Sequence, residues 1–175
     1  MPDSSGRIIF VIGGARSGKS GFALRKASDT PGKKAYIATA QALDREMEER
    51  ITRHRGERSG EWETFEEPIH IPALIQEITS THDVILLDCL TLWISNLLLA
   101  ADELLEKYCD EFITMLDGLH RASLCIVANE VGMGIVPDNV LSRQFRDSAG
   151  HLNQRVARIA SEVYLVAAGI PLKIK

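Results

Sequence analysis

The chain is predicted to fold as an α/β domain, a mostly parallel β-sheet flanked by helices, and three features predict it. Short apolar runs alternate with longer amphipathic stretches, the pattern of strands joined by crossover helices. The segment Gly13-x4-Gly18-Lys19-Ser20 stands between such a run and a helical stretch, the setting of a phosphate-binding loop. At the C-terminus two short strand-like runs meet at Gly169, so the last is expected to return as an antiparallel edge strand.

Taken in order, "RIIFVIG" (Arg7–Gly13) is β-branched and ends in glycine, a buried strand. Ser20 to Ala27 has helical composition, and "KKAYIAT" (Lys33–Thr39) is a second strand. In "LDREMEERITRHRGER", Leu43, Met47 and Ile51 recur along one helical face, with acidic residues early and arginines late, as the helix dipole favours. "WETFEEP" (Trp62–Pro68) reads as a short extended segment, and Pro72 begins a helix to about Ile78. "DVILLDC" (Asp83–Cys89) is a strand, followed by helical material from Leu92 to about Leu119. "SLCIVANEV" (Ser123–Val131) is another strand. A long helix then carries Leu141, Phe145, Ala149, Leu152, Val156 and Ala160 on one side, before "EVYLVAAG" and "IPLKIK".

Composition narrows the class. At 175 residues, 45% hydrophobic and 25% charged, the chain fits one ordinary globular domain. Residues 7–175 are expected to form it, with residues 1–6 a frayed polar lead-in. No repeat or linker divides it. The net charge of −4 argues against a nucleic-acid partner. The most apolar stretch, "VILLDCLTLWISNLLLAA", is interrupted by Asp88, Thr91, Ser95 and Asn96 and reads as core rather than a membrane span. No signal-peptide pattern opens the chain, and Cys89, Cys109 and Cys125 form no CxxC pair, so reduced thiols and a cytoplasmic location are expected.

The glycine-rich loop carries the first functional reading. Its glycines let several backbone N–H groups face one anion, and the helix N-terminus adds its positive end. Lys19 brings a mobile cation to the outer phosphates, and Ser20 offers a hydroxyl to magnesium. The same chemistry calls for a carboxylate at a neighbouring strand end, which "VILLD" supplies as Asp88. Nothing suggests zinc or iron: His70, His82, His120 and His151 are scattered without ligand spacing.

In "RITRHRGER", Arg50, Arg53, Arg55 and Arg58 surround His54. The bland reading is the solvated basic end of an amphipathic helix. In the functional reading the arginines gather phosphates and keep His54 neutral, with a lone pair able to attack phosphorus. "NEVGMGIVPDN" is likewise two-sided. It is either a glycine-containing connection or a ligand loop at a strand's carboxyl end, with Glu130 orienting a hydroxyl or the metal's water. Arg143 and Arg146 meet a substrate phosphate or a neighbouring subunit, or are plain surface charge.

Together "GGARSGKS" (13–20), "AYIATAQALDREMEERITRHR" (35–55), "LLDCLT" (86–91), "NEVGMGIVP" (129–137) and "FRDSAGHLNQRVA" (145–157) resemble the bifunctional adenosylcobinamide kinase/adenosylcobinamide-phosphate guanylyltransferase family of cobalamin biosynthesis. The resemblance runs almost from Arg7 to Lys175. It implies a RecA-like P-loop fold and a homotrimer. It implies phosphorylation of adenosylcobinamide by a nucleoside triphosphate, ATP or GTP, with Mg2+. Transfer of GMP from GTP through a GMP-histidine intermediate on His54 then gives adenosylcobinamide-GDP and pyrophosphate. Some relatives carry two adjacent histidines there; here position 53 is Arg. The nucleotide contacts it implies fall on Gly13, Gly14, Ala15, Arg16, Ser17, Gly18, Lys19 and Ser20. Others fall on Ile37, Ala38, Thr39 and Ala40, on Arg55, Gly56, Glu57 and Arg58, and on Glu66 and Asp88. Two rivals keep the loop and discard the rest: a P-loop kinase of another metabolite with His54 a bystander, and a non-enzymatic nucleotide-binding module. No N-K-x-D segment supports a GTPase-like switch.

Overall fold

The computed structural model describes residues 6–41, 45, 56 and 60–175. Among the described residues seven strands form one sheet: β1 (Ile8–Gly13), β2 (Lys34–Ala38), β3 (Trp62–Glu66), β4 (Val84–Asp88), β5 (Ser123–Asn129), β6 (Glu162–Ala167) and β7 (Ile170–Lys173). Their order across the sheet is β3-β2-β4-β5-β1-β6-β7. Every neighbouring pair is parallel except β6–β7, the expected antiparallel edge. The described helices are α1 (Lys19–Ser28), α2 (Ile71–Ile78), α3 (Leu90–Ala100), α4 (Leu105–Asp117) and α5 (Val140–Ile159). Within the expected helix of residues 43–58 only Arg45 and Gly56 are described, and both are helical.

Strand alternation sorts the core onto two faces. Ile8, Phe10, Ile37, Ile85, Leu87, Leu124 and Ile126 point to one face, which the apolar sides of α2 to α5 cover. Trp93 and Phe112 are both fully buried there with ring centroids 5.3 Å apart. Ile9, Val11, Tyr36, Leu86, Cys125 and Val127 point to the other face, where Ala23 and Ala27 of α1 let the helix approach closely. Strands buried on both faces read as continuous apolar runs, which is why four of them were visible in the sequence.

The helical material expected from Leu92 to about Leu119 is present as two helices: α3 stops at Ala100, a short 3-10 turn spans Asp102–Leu104, and α4 begins at Leu105. α3 is apolar nearly all round, whereas α4 buries Leu105, Cys109, Phe112 and Leu116 on one side. Burying both requires the chain to turn back onto the sheet's helical layer, where Asp110 pairs with Arg155 of α5 at 2.7 Å. The apolar stripe of α5 is only partly buried. Ala149, Leu152 and Val156 lie inside, but Leu141 at the helix start is 49% exposed.

Two of the described histidines, His70 and His82, have side-chain partners. His82 is buried, with Nε2 3.1 Å from Glu63 and Nδ1 beside Thr81 and Ile78. The Lys33 hydrogen bond, then that of His82, holds the Glu63 carboxyl below its usual range. Among the described residues no group of three or more His, Cys, Asp or Glu could hold a metal ion.

Candidate active site

Parallel pairing carries the C-terminal ends of β1 to β5 to one edge of the sheet. Register places Ala38 opposite both Glu66 and Asp88, Asp88 opposite Val127, and Gly13 opposite Asn129. From Glu66 to Gly13 the edge is four inter-strand steps wide, about 19 Å. The expected site residues Gly13, Ala38, Glu66, Asp88 and Glu130 therefore share one edge although they are spread over more than a hundred positions of sequence.

The loop between β1 and α1 is held tightly at its ends and open in its middle. Gly13 and Ser17 are buried; Gly14, Ala15 and Arg16 are exposed. Gly18 begins the helix at φ +90°, and Arg16 also lies in the left-handed region at φ +56°. The N–H of Gly169, in the β6–β7 turn, donates to the Ser17 carbonyl at 2.8 Å, and the Glu130 N–H donates to the Gly13 carbonyl at 3.0 Å. Lys19 is 5% exposed, and its Nζ donates back across the loop to the Gly14 carbonyl at 3.2 Å. A lysine folded over its own loop in this way is positioned to meet an anion seated there. Ser20 follows in the first turn of α1, half-buried.

Asp88 ends β4 half-buried, and the Tyr36 hydroxyl donates to its Oδ2 at 2.9 Å. The peptide bond from Asp88 to Cys89 is cis. Thr39 braces the neighbouring turn: its hydroxyl accepts from Cys89 N–H and donates to the Cys89 carbonyl, both at 2.8 Å. Asn96 Nδ2 donates to the Thr39 carbonyl. Ile37 and Thr39 are fully buried, so within 37–40 Ala38 and Ala40 offer surface to a ligand. Burial pushes the Cys89 thiol up to about 11, the Asp88 charge adds to the rise, and Lys19 opposes it. One buried atom thus senses both the loop's cation and the edge's carboxylate.

Between them β5 ends at Asn129, and Glu130 follows it. Glu130 Oε1 accepts from the N–H groups of Gly132 and Met133, at 2.5 and 3.1 Å, and so shapes the following loop. The Asn129 N–H donates to Thr91 Oγ1 at 2.7 Å, and its carbonyl accepts from Asn153 Nδ2. Two buried side-chain atoms have no hydrogen-bond partner among the described residues, Ser17 Oγ and Asn129 Oδ1. Both lie beside Gly13, one in the loop and one in register with it.

The structure thus gathers the loop, Ala38, Glu66, Asp88 and Glu130. His54, Arg55, Glu57 and Arg58 lie outside the described residues, and Gly56 is exposed. Sequence reasoning did not assign a site role to Tyr36 or Asn129. Tyr36 was the findable one, a polar-tipped aromatic two residues before the end of a buried strand.

The family model for cobinamide kinase / cobinamide phosphate guanyltransferase matches residues 9–174. The chain belongs to this family. The bifunctional adenosylcobalamin biosynthesis proteins of Salmonella typhimurium and Escherichia coli are 44% and 41% identical to it; each alignment covers 96% of this chain and 99% of the relative. The corresponding protein of Pseudomonas aeruginosa is 41% identical over 94% of this chain and 95% of its own. Among solved structures, an ATPase from the type III secretion system of pathogenic bacteria superposes with a TM-score of 0.59 at 10% identity. That match covers 92% of this chain and about half, 51%, of the ATPase chain. At so low an identity it speaks for the fold alone, a mostly parallel sheet flanked by helices. The chain therefore presents its glycine-rich loop at the edge where open α/β sheets take ligands.

Proposed function

We propose that this chain catalyses both reactions for which its family is named, phosphorylation of cobinamide in its adenosyl form and then transfer of GMP from GTP to the cobinamide phosphate. The observation that carries the proposal is the convergence of Lys19, Ser20 and Asp88 on one sheet edge in a chain that its family model spans from residue 9 to 174. In the first reaction the substrate hydroxyl attacks the γ-phosphorus of ATP or GTP, the bond to the β-phosphate breaks, and a nucleoside diphosphate leaves. The loop, exposed at Gly14, Ala15, Arg16 and Gly18, cradles the phosphates with its backbone N–H groups, and Lys19 moves from the Gly14 carbonyl to the charge developing on them. Glu130, whose Oε1 is engaged by its own loop, presents Oε2 to the incoming hydroxyl.

Ser20 and Asp88 fit Mg2+, a hard cation that takes one or two protein oxygens and completes its shell with phosphate and water; a cluster of three protein ligands is not needed. When bound, the ion would neutralise charge developing on the phosphates. Tyr36 fixes the orientation of Asp88 for that role.

In the second reaction the His54 imidazole attacks the α-phosphorus of GTP, pyrophosphate leaves, and the phosphate of cobinamide phosphate then displaces histidine. The loop serves both steps by holding the outer phosphates. The assignment of His54, with Arg55, Gly56, Glu57, Arg58 and Glu66 as further nucleotide contacts, rests on the motif "RITRHRGER" and on family membership. A homotrimer and a cytoplasmic location belong to the same proposal. The test is incubation with magnesium and GTP labelled at the α-phosphate, then denaturation. An acid-labile, base-stable label on the wild type and none on His54→Ala is expected. Folded, nucleotide-binding wild type that takes no label would remove the transferase half and leave a kinase.

A further inference from the structure

The sequence offers no evident surface for a substrate as large as a corrinoid, yet the folded chain exposes one. Met133, Ile135, Val136 and Val140 are 82%, 96%, 57% and 70% exposed, and Leu99 of α3 is 68% exposed. We propose that this apolar surface, made of loop 131–139 and the adjoining parts of α3 and α5, receives the corrin ring of cobinamide; the proposal rests on the functional reading above.

Three observations carry it. The surface begins at the reaction edge, since Glu130 precedes the loop and its N–H is bonded to Gly13 at the head of the phosphate loop. It also extends outward from that edge. Asn153 of α5 is level with the end of β5 through its bond to the Asn129 carbonyl, and Val140 lies thirteen residues earlier, about 20 Å along the helix axis. The N-terminal part of α5 therefore projects past the strands. α3 starts at the same edge, where Thr91 accepts from Asn129, and meets it to form a cleft of about 210 Å³ lined by Ser95, Leu98, Leu99, Leu141, Ser142 and Phe145.

The surface is also built rather than loose. Glu130 Oε1 pins the start of the loop through Gly132 and Met133, and Arg143 pins its end by donating to the carbonyls of Pro137 and Asp138 at 3.0 and 2.7 Å. Between these pins residues 131–137 carry no charge. A corrin is a broad, methyl-studded ring with neutral amide arms, too large to enter the phosphate loop. It must lie beside the loop while its hydroxyl arm reaches the γ-phosphate. An uncharged apolar wall suits the ring's face, and a cleft with two serines suits an amide arm.

The test is equilibrium dialysis of cobinamide against the full chain with a non-hydrolysable nucleotide, comparing wild type with Ile135→Ser/Val136→Ser. Leu172→Ser on β7, exposed and separated from β5 by β1 and β6 in sheet order, is the control. The double variant is expected to bind cobinamide at least about tenfold more weakly, with nucleotide affinity and sedimentation mass unchanged. Unchanged cobinamide affinity overturns the proposal. So does a fall in mass, which would make the surface a contact between copies of the chain. Wild type that binds nucleotide but no cobinamide would instead overturn the functional reading itself.

Discussion

Replacing Gly13 by alanine should damage the fold before it damages chemistry. A Cβ built there lies 2.4 Å from the Val166 carbonyl oxygen and 2.7 Å from Ser17 Oγ. Ordinary contact begins near 3.4 Å, so β1 and β6 must part by about 1 Å, and the obstructing atom is backbone that cannot rotate away. Overpacking of this kind costs about 1–3 kcal/mol, and weakening one or two ladder hydrogen bonds adds about 1 kcal/mol each. A loss of about 2–5 kcal/mol in a domain of this size lowers Tm by about 4–20 °C. The neighbouring Gly14 supplies the control, since a Cβ there meets nothing within 4 Å. Thermal unfolding followed by circular dichroism should separate Gly13→Ala from Gly14→Ala, with the second within about 2 °C of wild type. Equal Tm values for the two would refute the argument that β1–β6 approach, rather than loop chemistry, demands glycine at 13.

Other perturbations follow from the same structure. Tyr36→Phe removes the hydroxyl that orients Asp88, so the magnesium concentration giving half-maximal kinase rate should rise several-fold, equivalent to about 1 kcal/mol, while Tm holds; an unchanged magnesium requirement would deny Tyr36 that role. Glu162 is 4% exposed and gathers Arg7, Lys26, Lys173 and the Tyr164 hydroxyl, so Glu162→Gln should cost about 1–3 kcal/mol, seen as a lower urea midpoint. Burial raises Cys89 and Cys109 from 9.0 to about 11 and Cys125 to about 12. The folded state therefore keeps these protons while the unfolded chain releases them. Stability should be insensitive to the thiols below pH 9 and fall from about pH 9 to 11, by up to about 1.4 kcal/mol per unit for each thiol. In reducing buffer Cys125→Ala should flatten that slope, and an identical slope would count against burial as its cause.

What the sequence revealed followed from how locally each feature is encoded. The apolar runs of β1, β4 and β5 and the glycine loop are contiguous signals, and strand, loop and helix appear in the order read. The break at Ala101 carries no glycine or proline. It arises because α3 and α4 bury different faces, which only the packed helical layer determines. The bonds from Tyr36 to Asp88 and from Thr39 to Cys89 join residues about fifty positions apart, and depend on β2 lying beside β4 in a particular register. The apolar loop after Glu130 was legible by its glycines as either a plain connection or a ligand loop. That its side chains stand in solvent was not, because the same letters would serve equally well inside a core.

Ser17 carries the sharpest separation of stability from function. A buried hydroxyl without a partner is unfavourable by about 1–3 kcal/mol, and such atoms persist where a ligand or a strained site requires them. Its backbone duties do not need the side chain: Ser17 N–H donates to Gly14 and its carbonyl accepts from Gly169. Ser17→Ala should therefore raise the stability of the nucleotide-free protein by about 1 kcal/mol, or about 2–4 °C in Tm. Nucleotide affinity should fall in the same variant, if the hydroxyl finds its partner in the bound phosphates or their water. Opposite signs in the two measurements distinguish a functional hydroxyl from a packing defect, which would give stability with no change in binding. A variant that loses stability would show instead that Ser17 Oγ already contributes to the fold without ligand.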